Sequence, residues 1–145
     1  GQGLACARIG EGPEAARIAC VATARQGEGG VRVVQLSAAV DIGRIINHDI
    51  AKQQIEGGLV FGIGVALGNA VQLRGGVPDI ENDAALGLPS LAECPEMRIE
   101  FIASEAPPAD PGELGVVVAP PAIANALYSA TGLRLRRLPL LSDGI

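Results

Sequence analysis

The stretch GRIINHDIAKQQIEGGLVFGIGVALGNA, residues 43–70, holds two opposed signals. Asn47 or Asp49 can cap a helix start by accepting a backbone N–H bond. Ile55, Leu59, Ile63 and Leu67, or Ala66, then recur at helical spacing. Against that stand glycines at 57, 58, 62, 64 and 68. Each costs an exposed helix roughly 1 kcal/mol relative to alanine, so a compensating reason is expected. Gly58 and Gly62, like Gly64 and Gly68, lie four residues apart on one face, where another backbone or a bulky ligand could approach. A membrane span is a poor fit, because the apolar run is short and follows Lys52 and Glu56. The spacing predicts a buried helix packed tightly on a sheet.

Outward from this helix the pattern is mostly of strands. Residues 15–25 (AARIACVATAR) and 31–41 (VRVVQLSAAVD) flank the turn-forming QGEGG and predict a hairpin. Residues 3–9 can supply a third strand. AVQLRGGVPDI reads as a strand with a Gly-Gly turn, NDAALGLPSLAECPE as a loop, and residues 97–103 (MRIEFIA) as a strand. A second helix is expected from about Pro120 to Gly132, where a left-handed cap is easy. A last strand follows at LRLRRLPLL, residues 133–141. Strands and helices without strict alternation favour an α+β fold, and 145 residues fit a single domain, 1–145. No internal repeat is visible.

Composition narrows the function classes. Phe61, Phe101 and Tyr128 are the aromatic residues of a chain that is 48% hydrophobic, so the core must be aliphatic. The net charge is −5 and Lys52 is the one lysine. The basic cluster Arg134, Arg136 and Arg137 alternates with leucine and reads as the solvated face of a strand; nucleic acid is not an expected partner. Cys6, Cys20 and Cys94 are an odd number without CxxC spacing and read as buried free thiols. With one histidine, no metal-ligand set is expected within the chain. The opening GQGLACARIG has no basic and apolar leader pattern, and Gly57–Ala70, the longest weakly polar stretch, is too short for a bilayer. These features predict a soluble protein, cytoplasmic or periplasmic.

Neither GxxxxGK[ST] nor GxSxG occurs, and the Gly62-Ile-Gly64 pair lacks the third glycine of a dinucleotide fingerprint. His48 has no evident Ser or Cys partner. Two segments hold more. Gln53 and Gln54 place two amides on the first turns of the helix, as surface residues or as donors to a ligand. In Asp110-Pro-Gly-Glu-Leu-Gly115, Glu113 stands between Gly112 and Gly115. Local physics reads a solvated turn carboxylate; a base on a loop between strand and helix is the alternative.

Three runs together resemble the molybdenum hydroxylases of the xanthine dehydrogenase and aldehyde oxidase family. They are residues 33–67 (VVQLSAAVDIGRIINHDIAKQQIEGGLVFGIGVAL), 94–108 (CPEMRIEFIASEAPP) and 112–140 (GELGVVVAPPAIANALYSATGLRLRRLPL). The family typically shows D-x-G-x-x-x-N-P, Q-x-E-G-G-x-x-x-G, G-E-P-G and P-A-x-x-N-A-x-x-x-A-T-G in this order. The nearest likeness is to the C-terminal part of bacterial molybdopterin-binding subunits of the isoquinoline 1-oxidoreductase and aldehyde dehydrogenase kind. Here His48 and Leu114 stand where the family has proline, and the segment around Asn82-Asp83 lacks an aromatic often found there.

The resemblance implies a mixed or antiparallel sheet packed by two main helices. It implies Glu113 as the catalytic base, and Gln54, Gln53, Gly112 and Gly115 at the molybdopterin cofactor, with no residue ligating the metal. The complete enzyme would oxidise an aldehyde or hydroxylate an N-heterocycle with water. The cofactor would be the cytosine dinucleotide form, and [2Fe–2S] clusters would sit on a partner subunit. Partners would be the remainder of the molybdopterin-binding subunit and an iron–sulfur subunit, and a homo-oligomer stays open. The chain itself would be a C-terminal segment, inactive alone. The alternative is a stand-alone, non-catalytic domain or remnant that binds a partner chain.

Overall fold

A computed structural model describes residues 1–27, 30–68, 70–80 and 86–141. Three strands, β1 (Gln2–Ile9), β2 (Ala16–Gly27) and β3 (Gly30–Asp41), form an antiparallel meander. Helix α1 (His48–Leu67) follows, then a short hairpin of β4 (Leu73–Arg74) and β5 (Val77–Pro78). Strand β6 (Glu96–Phe101) pairs parallel to β3, so the sheet is mixed, in the order β1-β2-β3-β6. Helix α2 (Leu114–Thr131) closes the fold. The architecture is α+β, as expected.

Each element follows from local chemistry. Ile18, Cys20, Ala22 and Ala24 of β2, and Leu36, Ala38 and Val40 of β3, point to the core face, alternating with more exposed neighbours. Asn47 caps α1: its Oδ1 accepts from the Ile50 N–H at 3.0 Å. Ile55, Leu59, Ile63 and Ala66 of α1 are buried, as their spacing predicted. Gly75 and Gly76 turn the short hairpin with φ of 61° and 83°, both in the region glycine favours. Gly132 ends α2 in the left-handed conformation, and its N–H reaches the Tyr128 carbonyl at 2.8 Å.

Gly58 and Gly62 of α1 admit a second backbone, that of α2. A Cβ built on Gly115 would lie 2.5 Å from the Leu59 nitrogen and 2.7 Å from the Gly58 carbonyl carbon. One built on Gly62 would lie 2.7 Å from the Ala119 Cβ. The two helices therefore cross at Gly58, Gly62, Gly115 and Ala119 with their main chains nearly touching. At the other flank of α2, Gly3 of β1 admits the backbone of Ala122 and Ala126 in the same way.

Several expectations need correction. Helix α2 begins at Leu114, not near Pro120, and takes Pro120 and Pro121 into its interior. The prolines have no N–H for the Val116 and Val117 carbonyls. Burial of Leu114, Val118, Ala119, Ala122, Ile123, Ala126 and Leu127 offsets that loss. α2 also supersedes Gly57–Ala70 as the longest apolar stretch: it could cross a bilayer by length and composition, but half of it is buried inside the fold. Residues 133–141 form bends and a turn, not a strand. Arg134 is drawn over the Tyr128 ring, 3.6 Å from its centroid, and donates to Asn125 Oδ1 at 2.6 Å, while the Leu140 N–H donates to the Ala66 carbonyl at 2.7 Å. Of the cysteines, all free, Cys20 is buried, Cys94 partly so and Cys6 exposed. Asn82 and Asp83 lie outside the described residues.

Candidate functional site

After β6 the chain runs back along the β3–α1 connection. The Ile102 N–H donates to the Val40 carbonyl at 2.8 Å, Ala109 to Ile42 at 2.9 Å, and Arg44 in turn donates to Ala106 at 2.9 Å. Gly43, with φ of 66°, lies under the Pro107 carbonyl, where a side chain would collide. This zipper delivers residues 110–115 to the flank of α1. Leu114 and Gly115 then sink into the helix crossing, and Glu113 remains outside.

Gly112 is held on both sides of its Cα, through two successive peptide units. Its N–H donates to Asp110 Oδ1 at 2.9 Å, and its carbonyl accepts from Gln54 Nε2 at 2.9 Å. A carbonyl can only accept, so the Gln54 amide nitrogen must face it, leaving Oε1 as an acceptor for another group. Glu113 occupies the N-cap position of α2 without capping it: its side chain makes no hydrogen bond to the helix. Its backbone carbonyl accepts from the Val117 N–H at 3.0 Å, and the Leu114 N–H is satisfied by the Pro111 carbonyl at 3.0 Å. The carboxylate is exposed, beside the positive end of the helix dipole.

Five residues were expected at this site. Gln54, Gly112 and Glu113 form one continuous shoulder, and Gln53 is exposed beside Gln54. Gly115 is buried, with the face a side chain would take filled by α1. Asp110 went unmarked in sequence, although Asp-x-Gly is the signature of a turn in which the carboxylate caps the N–H two residues on. His48 opens α1 and meets the Phe101 ring edge-on at 5.8 Å.

Among the described residues, none covers the face of α1 that carries Gln54. Ile50, Gln54, Gly57 and Phe61 fall on one helical stripe. Ile50 is 65% and Phe61 49% exposed, and nothing lies within 4 Å of a Cβ built on Gly57. An amide acceptor, a free carboxylate and an open glycine between two apolar side chains suit one side of a flat, hydrogen-bonding heterocycle. These residues fit a pterin cofactor as a single wall.

A cavity of about 910 Å³ lies elsewhere, between the β2–β3 end and residues 87–93, and contains none of the five residues. Glu93 lines it; hydrogen bonds from the Ser90 side chain and backbone lower its pKa. Among the described residues, no cluster of His, Cys, Asp and Glu suits a metal ion.

Comparison with known proteins shows the family of this chain. A family model described as a molybdopterin cofactor-binding domain matches residues 13–95, a span that includes Gln54 and stops short of Glu113. The chain belongs to the molybdopterin cofactor-binding domains of the xanthine dehydrogenase and aldehyde oxidase family. It is 37% identical to a membrane-bound aldehyde dehydrogenase [pyrroloquinoline-quinone] of Gluconacetobacter polyoxogenes, over 77% of this chain and 14% of that protein. It is 34% identical to the isoquinoline 1-oxidoreductase subunit beta of Brevundimonas diminuta, over 78% of this chain and 14% of that protein. The solved aldehyde oxidoreductase of Desulfovibrio gigas superposes with a TM-score of 0.73 at 27% identity, covering 87% of this chain and 14% of that one. The chain thus spans 14% of the length of each of these proteins.

Proposed function

We propose that this chain, residues 1–145, is the C-terminal segment of a molybdopterin-binding subunit and forms the glutamate-bearing wall of its cofactor site. The observation that carries this reading is the Gln54–Gly112 hydrogen bond, which joins two motif segments 58 residues apart. The complete enzyme oxidises an aldehyde or hydroxylates an N-heterocycle with water. For an aldehyde the balance is RCHO + H2O → RCOOH + 2 H⁺ + 2 e⁻. The bound molybdenum centre supplies the two-electron acceptor.

The chain's own residues do the positioning and the proton work. Gln54 offers Oε1 to an N–H of the pterin, Gln53 lies beside it, and the glycines at 112 and 115 let ligand and helix approach the loop. The Glu113 carboxylate takes the proton of the attacking hydroxyl, becoming a carboxylic acid, and water carries that proton away. Ionised carboxylate is the form that can take a proton. The cofactor is the cytosine dinucleotide form, and the setting a bacterial cytoplasm or periplasm. Electrons pass to [2Fe–2S] clusters on a partner subunit, and the remainder of the molybdopterin-binding subunit covers Ile50 and Phe61. The subunit names of such relatives support partners of this kind.

The test is native purification of the polypeptide carrying this sequence, with molybdenum and the masses of co-purifying chains measured. Stoichiometric molybdenum within a large assembly supports the reading. A lone chain without metal would leave a stand-alone, non-catalytic domain. In the complete enzyme, Glu113→Gln is expected to lower kcat by roughly 10²- to 10⁴-fold at unchanged molybdenum content. Turnover near that of the wild type would exclude Glu113 as the base.

A further inference from the structure

We infer that Asp110 is a positioning residue for Glu113, acting through the Pro111–Gly112 peptide and the Gly112 backbone dihedrals; this rests on the reading of Glu113 as the base. The loop before α2 is tied by the Ala109 N–H to the Ile42 carbonyl and by the Leu114 N–H to the Pro111 carbonyl, and the Gly112 N–H between them is held by Asp110. Asp110 and Glu113 are exposed, and Pro111 and Gly112 half-buried. Gly112 has φ of 32°, a conformation its lack of a side chain allows but does not impose. Asp110 Oδ1 holds the Gly112 N–H at 2.9 Å, in the Pro111–Gly112 peptide, and Gln54 holds the Gly112 carbonyl at 2.9 Å, in the Gly112–Glu113 peptide, so the two planes that meet at the Gly112 Cα are both fixed and the backbone enters Glu113 at a set angle. On the far side Leu114 is buried and Gly115 is locked against α1. The Glu113 Cα is thereby held between two fixed peptide units. Asp110 itself touches neither substrate nor cofactor in this role.

Two variants and two readouts test this in the complete enzyme. Asp110→Ala removes the acceptor, whereas Asp110→Asn keeps an oxygen at Oδ1 and removes only the charge. Amide hydrogen exchange of residues 110–115 is expected to accelerate at least about tenfold in Asp110→Ala and to return to near the wild-type rate in Asp110→Asn. kcat is expected to fall by on the order of 10- to 100-fold in Asp110→Ala with KM and molybdenum content unchanged, and to recover in Asp110→Asn. Unchanged exchange in Asp110→Ala would overturn the clamp. So would an Asp110→Asn variant as impaired as Asp110→Ala, since charge rather than position would then be responsible. Glu113→Gln separates the two readings: if that variant turns over normally while exchange at Gly112 still depends on Asp110, the base assignment fails and the clamp stands as a structural feature only.

Discussion

The side-chain amide of Gln54 donates to the Gly112 carbonyl at 2.9 Å, tying the second turn of α1 to the residue before Glu113. Neither partner has a reason of its own to be there. Helix α1 is placed by its apolar face and by its crossing with α2. The loop is placed by the chain that zips along Ile42 and Arg44. Their meeting is a product of the whole fold.

Gln54→Glu keeps the size of the side chain and an outward acceptor but sets a carboxylate against the Gly112 carbonyl. The loss of one hydrogen bond, with the repulsion that replaces it, is expected to cost about 1–2 kcal/mol of stability in urea unfolding. In the complete enzyme, molybdenum retention should fall in both Gln54→Glu and Gln54→Ala. Unchanged occupancy and unchanged rate would show that Gln54 serves the fold alone.

Glycines of the two helices should answer to alanine with opposite signs. Gly62→Ala places a methyl group 2.7 Å from the Ala119 Cβ, and Gly115→Ala places one 2.5 Å from the Leu59 nitrogen. Each is expected to destabilise by about 1–3 kcal/mol, because the main chains must separate. Gly57→Ala meets nothing within 4 Å and should stabilise by about 0.5–1 kcal/mol through helix propensity. Thermal or urea unfolding of the three variants decides this; equal effects would refute the close crossing.

Cys20 and Cys6 differ by burial, and chemistry should separate them. Burial raises the Cys20 pKa from 9.0 to about 11, while Cys6 is exposed. At pH 8 a thiol reagent should label Cys6 rapidly and Cys20 only on unfolding. The unfolded chain loses the Cys20 proton near pH 9 and the folded chain only near 11, so stability contributed by the neutral thiol is complete below pH 9 and lost as pH rises through 11. The shift corresponds to about 2–3 kcal/mol. Cys20→Ala should flatten the alkaline limb of a stability–pH curve.

Asn47→Ala should cost about 1 kcal/mol by removing the Oδ1 that caps the Ile50 N–H, and Asn47→Asp should cost much less. Urea midpoints of the two variants compare them directly; equal losses would mean the cap contributes nothing.

The sequence by itself determined the strands of the meander, the start of α1 and its buried face, and the glycine that ends α2. Periodicity, caps and turn residues act within a few positions, so a linear reading captures them. It also located Gln54 and Glu113, through motifs whose order and spacing resemble a known family. The tertiary structure alone decided three further things. Pro120 and Pro121 sit inside α2, because burial of its apolar face outweighs two missing helix hydrogen bonds. Residues 133–141 give up strand pairing for a stack of Arg134 on Tyr128 and an anchor at Ala66. Gly58 and Gly62 of α1 face the backbone of α2, and the residues around Glu113 are joined by hydrogen bonds that span up to 58 positions. Such contacts depend on where the sheet carries each segment, a property of the folded chain that no local spacing encodes.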